Sequence, residues 1–112
     1  MSGKFELKKS ANGQFYFNLK SSNGQIVLSS EMYKAKASAM NGIDSIRRNC
    51  KDDKCFSRNK STNGKPYFTL KAKNHQVIGK SQMYNSPKAM ENGVASVKKN
   101  AKKAKVVDLT VK

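Results

Sequence analysis

Two alternating runs open the chain. Phe5 and Leu7 alternate with Glu6 and Lys8, and Phe15, Phe17 and Leu19 alternate with Tyr16, Asn18 and Lys20. Period two marks a strand with one buried face. Between the runs sits Asn12-Gly13, a strong hairpin signal, because a type I′ turn needs φ > 0 at both central positions. A second pair, Asn23-Gly24, leads to a third strand near residues 25–29. The period then changes: Ala39, Gly42, Ile43 and Ile46 recur at i, i+3, i+4 and i+7, the stripe of an amphipathic helix over about 36–49.

The whole pattern then returns. Shifted by 51 residues, Ser10 to Lys20 falls on Ser61 to Lys71, Ser30-Glu31-Met32-Tyr33 on Ser81-Gln82-Met83-Tyr84, and Asn41-Gly42-Ile43 on Asn92-Gly93-Val94. Without a gap, 18 of 45 positions match between residues 5–49 and 56–100, which makes the chain a tandem repeat. Met90, Gly93, Val94 and Val97 predict a second helix over about 87–101, with Ser86 as N-cap and Pro87 at the first helical position. Gly inside a helix costs about 1 kcal/mol against Ala. Gly42 and Gly93 lie on the core-facing stripe, so they are expected where helix and sheet approach closely. The Met-Tyr pairs before each helix are expected to staple its entry onto the sheet edge; as an exposed patch they would instead suit docking of a protein.

A last strand is predicted over 105–111, and the charged joint at 51–54 is too short for a flexible linker. One unit of about fifty residues is marginal alone, since chains near 60 residues bury only about 60% of their unfolded surface. Two copies packed about a pseudo-twofold axis would cover each other's apolar faces, as a homodimer does. The expected architecture is α+β: tandem βββα(β) repeats, about 5–50 and 56–101, in one domain spanning 1–112, with an antiparallel sheet and both helices on one face. The expected state is a monomer, an intramolecular pseudo-dimer.

The N-G-x-x-Y-F-x-L-K hairpins at 12–20 and 63–71, the S-x-M-Y segments at 30–33 and 81–84, and the N-G-[IV]-x-S-[IV] helices at 41–46 and 92–97 resemble the YegP-like family of small bacterial proteins of uncharacterised function. The resemblance covers essentially the whole chain. It implies β(3)-α-β repeats that share one sheet and exchange their terminal strands, and single-copy members that reach the same shape by dimerising. It carries no catalytic residues. Arg58 stands where the first copy has Leu7, and Pro66 where it has Phe15, so the second copy's first strand pair departs from the pattern. A proline there belongs at a strand start or edge.

Charge changes the functional picture. The chain has 23 Lys and Arg against 7 acids, a net +16, with +6 in residues 1–51 and +10 in 52–112. Such an excess attracts polyanions and also aids solubility. No run approaches the roughly 18 apolar residues of a membrane span, and no apolar segment near the start marks a secretory signal, so a cytoplasmic, non-membrane address is expected. Cys50 and Cys55 read as ordinary thiols, Cys50 as a small helix-end packing residue matching Ala101. With His75 the single histidine, no metal site is expected.

Catalysis is not expected. Glu31 is matched by Gln82 and Asp44 by Ala95, so no acid recurs in both copies, and no glycine-rich phosphate loop is present. No cofactor is expected. If Phe17, Leu19, Phe68 and Leu70 face the helices, then Tyr16, Asn18, Lys20, Tyr67, Thr69 and Lys71 point the other way, with Lys8, Lys80 and Lys73 extending that surface. A Tyr- and Lys-bearing sheet is in kind a surface that stacks bases and neutralises phosphates. Tyr and Lys are equally ordinary on a solvated antiparallel face. Arg47, Arg48, Lys98 and Lys99, followed by Lys102, Lys103 and Lys105, fall at helix C-termini, where cations suit the dipole. The reading is a non-enzymatic binding module for nucleic acid or another polyanion; the alternative is a protein–protein adaptor whose charge serves solubility.

Overall fold

The computed structural model describes residues 3–110. In chain order it has β1 (Lys4–Lys9), β2 (Phe15–Lys20), β3 (Ile26–Ser29), α1 (Lys36–Asn49), a 3-10 turn (Asp53–Cys55), β4 (Phe56–Lys60), β5 (Pro66–Lys71), β6 (Val77–Lys80), α2 (Pro87–Asn100) and β7 (Lys105–Asp108). The strands form one sheet in the order β4-β5-β6-β3-β2-β1-β7. The expected last strand ends at Asp108, and its position 111 lies outside the described residues.

The two copies join where β3 meets β6, antiparallel, at Ser29 and Lys80. These residues are equivalent under the 51-residue shift, so the internal twofold passes between them. Every strand pair is antiparallel except β1 with β7, which run parallel. The sheet is therefore mixed rather than purely antiparallel. β7 is the exchanged strand: it ends the second copy and lies on the first. The exchange runs one way, because the chain between α1 and β4 is used up by the 3-10 turn. β4 is left as an open edge.

Residue choice at that edge follows. Leu7, flanked by both β2 and β7, is fully buried, whereas Arg58 at the same position of β4 faces solvent on one side. Arg58 binds Glu91 through Nε (2.8 Å) and Asp53 through Nη2 (2.9 Å). An inward-pointing charge is a recognised way to keep an open edge from pairing with another chain. Pro66 is the first residue of β5. Phe15 and Tyr33 exchange two backbone bonds, whereas Pro66, lacking an N–H, only accepts one from Tyr84 at 2.8 Å.

One apolar core runs through both copies. Phe5, Leu7, Phe17 and Leu19 from the first and Phe56, Phe68 and Leu70 from the second meet Ile43 and Ile46 of α1 and Val94 and Val97 of α2. Each such side chain contributes about 1.5–3 kcal/mol on burial. Cys50 and Ala101, at the C-caps of α1 and α2, are both fully buried in it. Ser86 caps α2 by accepting from the Ala89 N–H at 3.1 Å; α1 begins at Ala35 without a side-chain cap.

Gly42 and Gly93 are points of close approach, as the stripe implies. A Cβ on Gly42 would stand 2.6 Å from Tyr33 Oη, and one on Gly93 2.3 Å from Tyr84 Oη. The tyrosine rings stack on Phe17 and Phe68 at 6.3 Å. The staple is thus the tyrosine half of each Met-Tyr pair; Met32 and Met83 are exposed.

The hairpin turns differ from the expected type. Gly13, Gly24, Gly64 and His75 have positive φ, but the preceding asparagines do not. Each loop is a β-turn, such as Gly13 N–H to Ser10 O at 3.0 Å, closed by a left-handed residue. The Asn side chains explain this: Asn12, Asn23 and Asn74 accept the backbone N–H two residues on, at 3.1–3.2 Å. His75 adopts the left-handed region at φ 70° where the other three loops have Gly.

Candidate functional site

With both helices on one side, the other face of the sheet is bare. In-register pairing lays a row across all seven strands on it: Ser57, Thr69, Lys80, Ser29, Asn18, Glu6 and Val107. Pairing also sets Tyr16 beside Lys8, Lys20 beside Lys4, Lys4 beside Lys105, and Tyr67 beside Asn59. Among the described residues, six lysines (4, 8, 20, 71, 80 and 105) therefore share the strands of this face with one acid, Glu6, and a second acid, Glu31 just past β3, lines a hollow with Ser29 and Lys80. Strand spacing of about 4.8 Å and a rise of about 3.3 Å per residue put Tyr16 and Tyr67 roughly 20 Å apart, on opposite sides of the central row.

The candidate residues are not equivalent. Lys20 Nζ lies 2.9 Å from Glu6, Lys4 3.4 Å and Lys8 3.8 Å, so Glu6 anchors the lysines of the first copy. The Lys20 hydrogen bond is the main reason the Glu6 carboxyl titrates below its ordinary value, against the opposing effect of its burial. In the second copy Ser57 replaces Glu6, and Lys80 sits 5.1 Å above the Tyr67 ring instead. Tyr16 and Tyr67 are half-buried, leaving ring area open to solvent. Asn18 and Thr69 are on the expected face but only 7% and 9% exposed, so they pack the middle of the row and present little surface.

Lys73 is not on this face. It belongs to the β5–β6 loop, which leaves the end of the sheet and lines a cleft against α1. The helix-end cations divide similarly. Arg47 donates to the Ala104 carbonyl and lies 5.5 Å over Phe5, tying α1 to the approach of β7. Lys98 binds Asp53 at 2.8 Å. Arg58 and Lys98 together hold the Asp53 carboxyl well below the usual carboxylate range. Burial pushes the Cys50 and Cys55 thiols up, which suits packing. Among the described residues, no three of His, Cys, Asp and Glu gather into a metal cage, and no helix is long and apolar enough to cross a membrane.

One shared sheet, two helices on one side of it, a bare basic face on the other and an internal twofold define a tandem-repeat α+β module. The chain belongs to the family described as domain of unknown function DUF1508, whose model matches residues 10–56 and 61–108, one match per copy. It is 54% identical over 109 residues to UPF0339 protein YegP of Yersinia pestis, covering 97% of each chain. It is 53% identical over 110 residues to a UPF0339 protein of Acinetobacter baylyi, covering 98% of this chain and 99% of that one. The solution structure of a UPF0339 protein from Shewanella oneidensis superposes with a TM-score of 0.93 at 50% identity, covering 98% of this chain and 93% of that one. That of yegP from E. coli, described as a protein of unknown function, superposes with a TM-score of 0.94 at 47% identity, covering 100% and 97%. The resemblance seen in the motifs is thereby established, and the function of the family is open.

Proposed function

We propose that the chain is a non-enzymatic binding module whose bare sheet face takes an extended polyanion, single-stranded nucleic acid first. The observation that carries this is the face itself: six lysines against Glu6 and Glu31, with Tyr16 and Tyr67 set diagonally across it. A strand crossing that diagonal would meet a ring near each end and the Lys80 ammonium between them, with Lys20 and Lys71 to either side. Stacking on aromatics with phosphate neutralisation by cations is how sequence-tolerant single-strand binders work.

The test is fluorescence anisotropy of labelled single- and double-stranded DNA and RNA against salt, with heparin as competitor. Engagement of about five phosphates predicts roughly a hundred-fold loss of single-strand affinity between 50 and 200 mM salt. Stacking predicts that Tyr16→Ala with Tyr67→Ala costs about 1–3 kcal/mol per ring. Binding that heparin abolishes and the tyrosine changes leave untouched would sink the proposal. A protein adaptor is the second reading, favoured by the exposure of Met32 (55%) and Met83 (40%) at equivalent places in the two copies. Replacing Lys20, Lys71 and Lys80 with Glu separates the two: a polyanion site fails, an adaptor survives.

A further inference from the structure

Two clefts of ≈550 and ≈570 Å³ lie on the helix side of the sheet, away from the bare face. The first runs between α1 and the β5–β6 hairpin of the other copy; the second runs between α2 and the β2–β3 hairpin. The 51-residue shift exchanges them. All twelve residues lining the first have their counterparts lining the second, and seven of those twelve pairs are identical. Each wall comes from a different copy, so the clefts exist only in the packed pair. Among the described residues, neither is lined by an acid.

Five of the seven identities have work in the fold. Gly42 and Gly93 admit Tyr33 and Tyr84. Asn49 and Asn100 bond Ser45 and Ser96, and Asn74 and Asn23 close turns. Asn41/Asn92 and Gln76/Gln25 remain. Asn41 and Asn92 are exposed at mid-helix, where Asn is a weak helix former, and their side chains have no hydrogen-bond partner among the described residues. The Gln25 carboxamide has none either, and Gln76 has only a long 3.5 Å bond from Asn74. A cation about two helical turns beyond each Asn, Arg48 or Lys99, is exposed and unpaired among the described residues.

We propose that each cleft binds a phosphate-bearing metabolite of mononucleotide size, so that one chain takes two. Arg48 and Lys99 hold the phosphate, the guanidinium offering paired donors and the ammonium a point charge; in the first cleft the exposed Lys73 adds a second cation where the other cleft has Ser22. The carboxamides of Asn41 and Gln76, and of Asn92 and Gln25, offer the paired donor and acceptor that match the edge of a purine. The volume suits such a ligand, since small-molecule sites run to about 300–1,000 Å³.

The experiment is calorimetric and amide-NMR titration of the full chain with AMP, with adenosine and inorganic phosphate as the two half-ligands. The expected result is two AMP per chain, with shifts at the side-chain amides of Asn41, Asn92, Gln25 and Gln76. Arg48→Glu with Lys73→Ser, or Lys99→Glu, should each reduce the count to one, and all three together to none. Asn41→Ala with Asn92→Ala should weaken AMP about tenfold while leaving inorganic phosphate unchanged. These are exposed positions, so the variants should still melt cooperatively; the asparagine changes should hold Tm, and each charge reversal in a last helical turn should lower it by only a few degrees. Shifts confined to the bare face, a count indifferent to Arg48 and Lys99, inorganic phosphate binding as tightly as AMP, or no saturation at millimolar AMP would each overturn the proposal. The polyanion proposal stands or falls separately, because its residues lie on the other side of the sheet.

Discussion

Leu28 and Gly79 are equivalent positions in the two copies, and they meet beside the internal axis. Leu28 is 1% exposed, and a Cβ on Gly79 would stand 2.6 Å from both its Cγ and its Cδ2. One large and one absent side chain therefore fill a space that a symmetric pair would have to divide equally. Leu28→Ala removes buried atoms and leaves a cavity, at a cost of about 2–5 kcal/mol. Gly79→Ala alone gains about 0.5–1 kcal/mol of backbone propensity but overpacks against Leu28 by about 1–3 kcal/mol. The single change is thus expected to cost roughly 0.5–2 kcal/mol.

The informative variant is the double one, Leu28→Ala with Gly79→Ala. With Leu28 shortened, the methyl introduced at position 79 enters the vacated space and returns about 0.8 kcal/mol of burial together with the propensity gain. The double variant should then be more stable than Leu28→Ala alone, with a coupling of about 2–4 kcal/mol between the sites. Urea midpoints at constant m-value measure all four corners of the cycle. A double variant less stable than Leu28→Ala, near the sum of the single costs, would refute the placement of the two side chains in one space. Exchanging them outright, Leu28→Gly with Gly79→Leu, should recover most of the stability, because the axis converts one arrangement into the other.

Four further outcomes are expected. His75→Gly relieves a left-handed conformation costing about 1–2 kcal/mol, partly offset by glycine's greater freedom when unfolded, and should raise Tm by about 2–6 °C; a lower Tm would contradict it. Gly42→Ala gains about 1 kcal/mol of helix propensity but meets Tyr33 Oη at 2.6 Å, so it should destabilise the natural chain and cost less once Tyr33→Phe removes that atom and leaves the 3.1 Å approaches to ring Cζ and Phe17 Cε2, as thermal melts would show. Arg58→Leu restores the repeat pattern at the open β4 edge and should cause concentration-dependent association; light scattering showing an unchanged monomer would count against the edge argument. In acid, Asp108 titrates at about 2 rather than 3.8, chiefly because of Lys36, and Glu6 and Glu91 are likewise lowered. The unfolded chain therefore binds more protons in that range. Stability should be full above about pH 5 and fall as pH drops through 4 toward 2, and Lys36→Met should flatten the lower part of that slope in urea midpoints.

Much of this was legible in the chain because the signals are local. Period two in Phe15-Tyr16-Phe17-Asn18-Leu19 and the i, i+3, i+4, i+7 stripe of Ala39, Gly42, Ile43 and Ile46 define strand and helix from neighbours alone. The 51-residue shift shows that the copies must be equivalent. Asn-Gly predicts a type I′ turn from the backbone preferences of its two residues, but here the Asn side chain takes a backbone N–H and keeps its own φ negative. Met32 and Tyr33 are adjacent and similar in apolar content, so sequence could not say which would pack; the space beneath Gly42 decides for the flat ring. The clefts were hidden for a different reason. Asn41 and Gln76 lie in different copies, and only the meeting of β3 with β6 brings a helix of one against a hairpin of the other.

Where the copies differ is as informative as where they agree. Leu28 and Gly79 differ because two equal side chains would compete for one space at the axis. Leu7 and Arg58 differ because β7 covers β1 at one end of the sheet and, among the described residues, no strand covers β4 at the other. Glu6 and Ser57 differ across the bare face, where the first copy gathers Lys4, Lys8 and Lys20 around an acid and the second, among the described residues, leaves Lys71 and Lys80 outside any ion pair. A duplicated chain can specialise in this way, whereas a homodimer must place the same residue at both positions. The bare face is therefore expected to be lopsided in strength, weaker around Glu6. Glu6→Gln should tighten polyanion binding more than any comparable change around Ser57, and steepen its salt dependence. The clefts have diverged less: Lys73 stands against Ser22, but Asn41 and Asn92, Gln76 and Gln25 remain identical without bonds that the fold requires. Identity without a structural use is what a pair of equal binding sites would retain, and a single extended site on the sheet would not preserve it there.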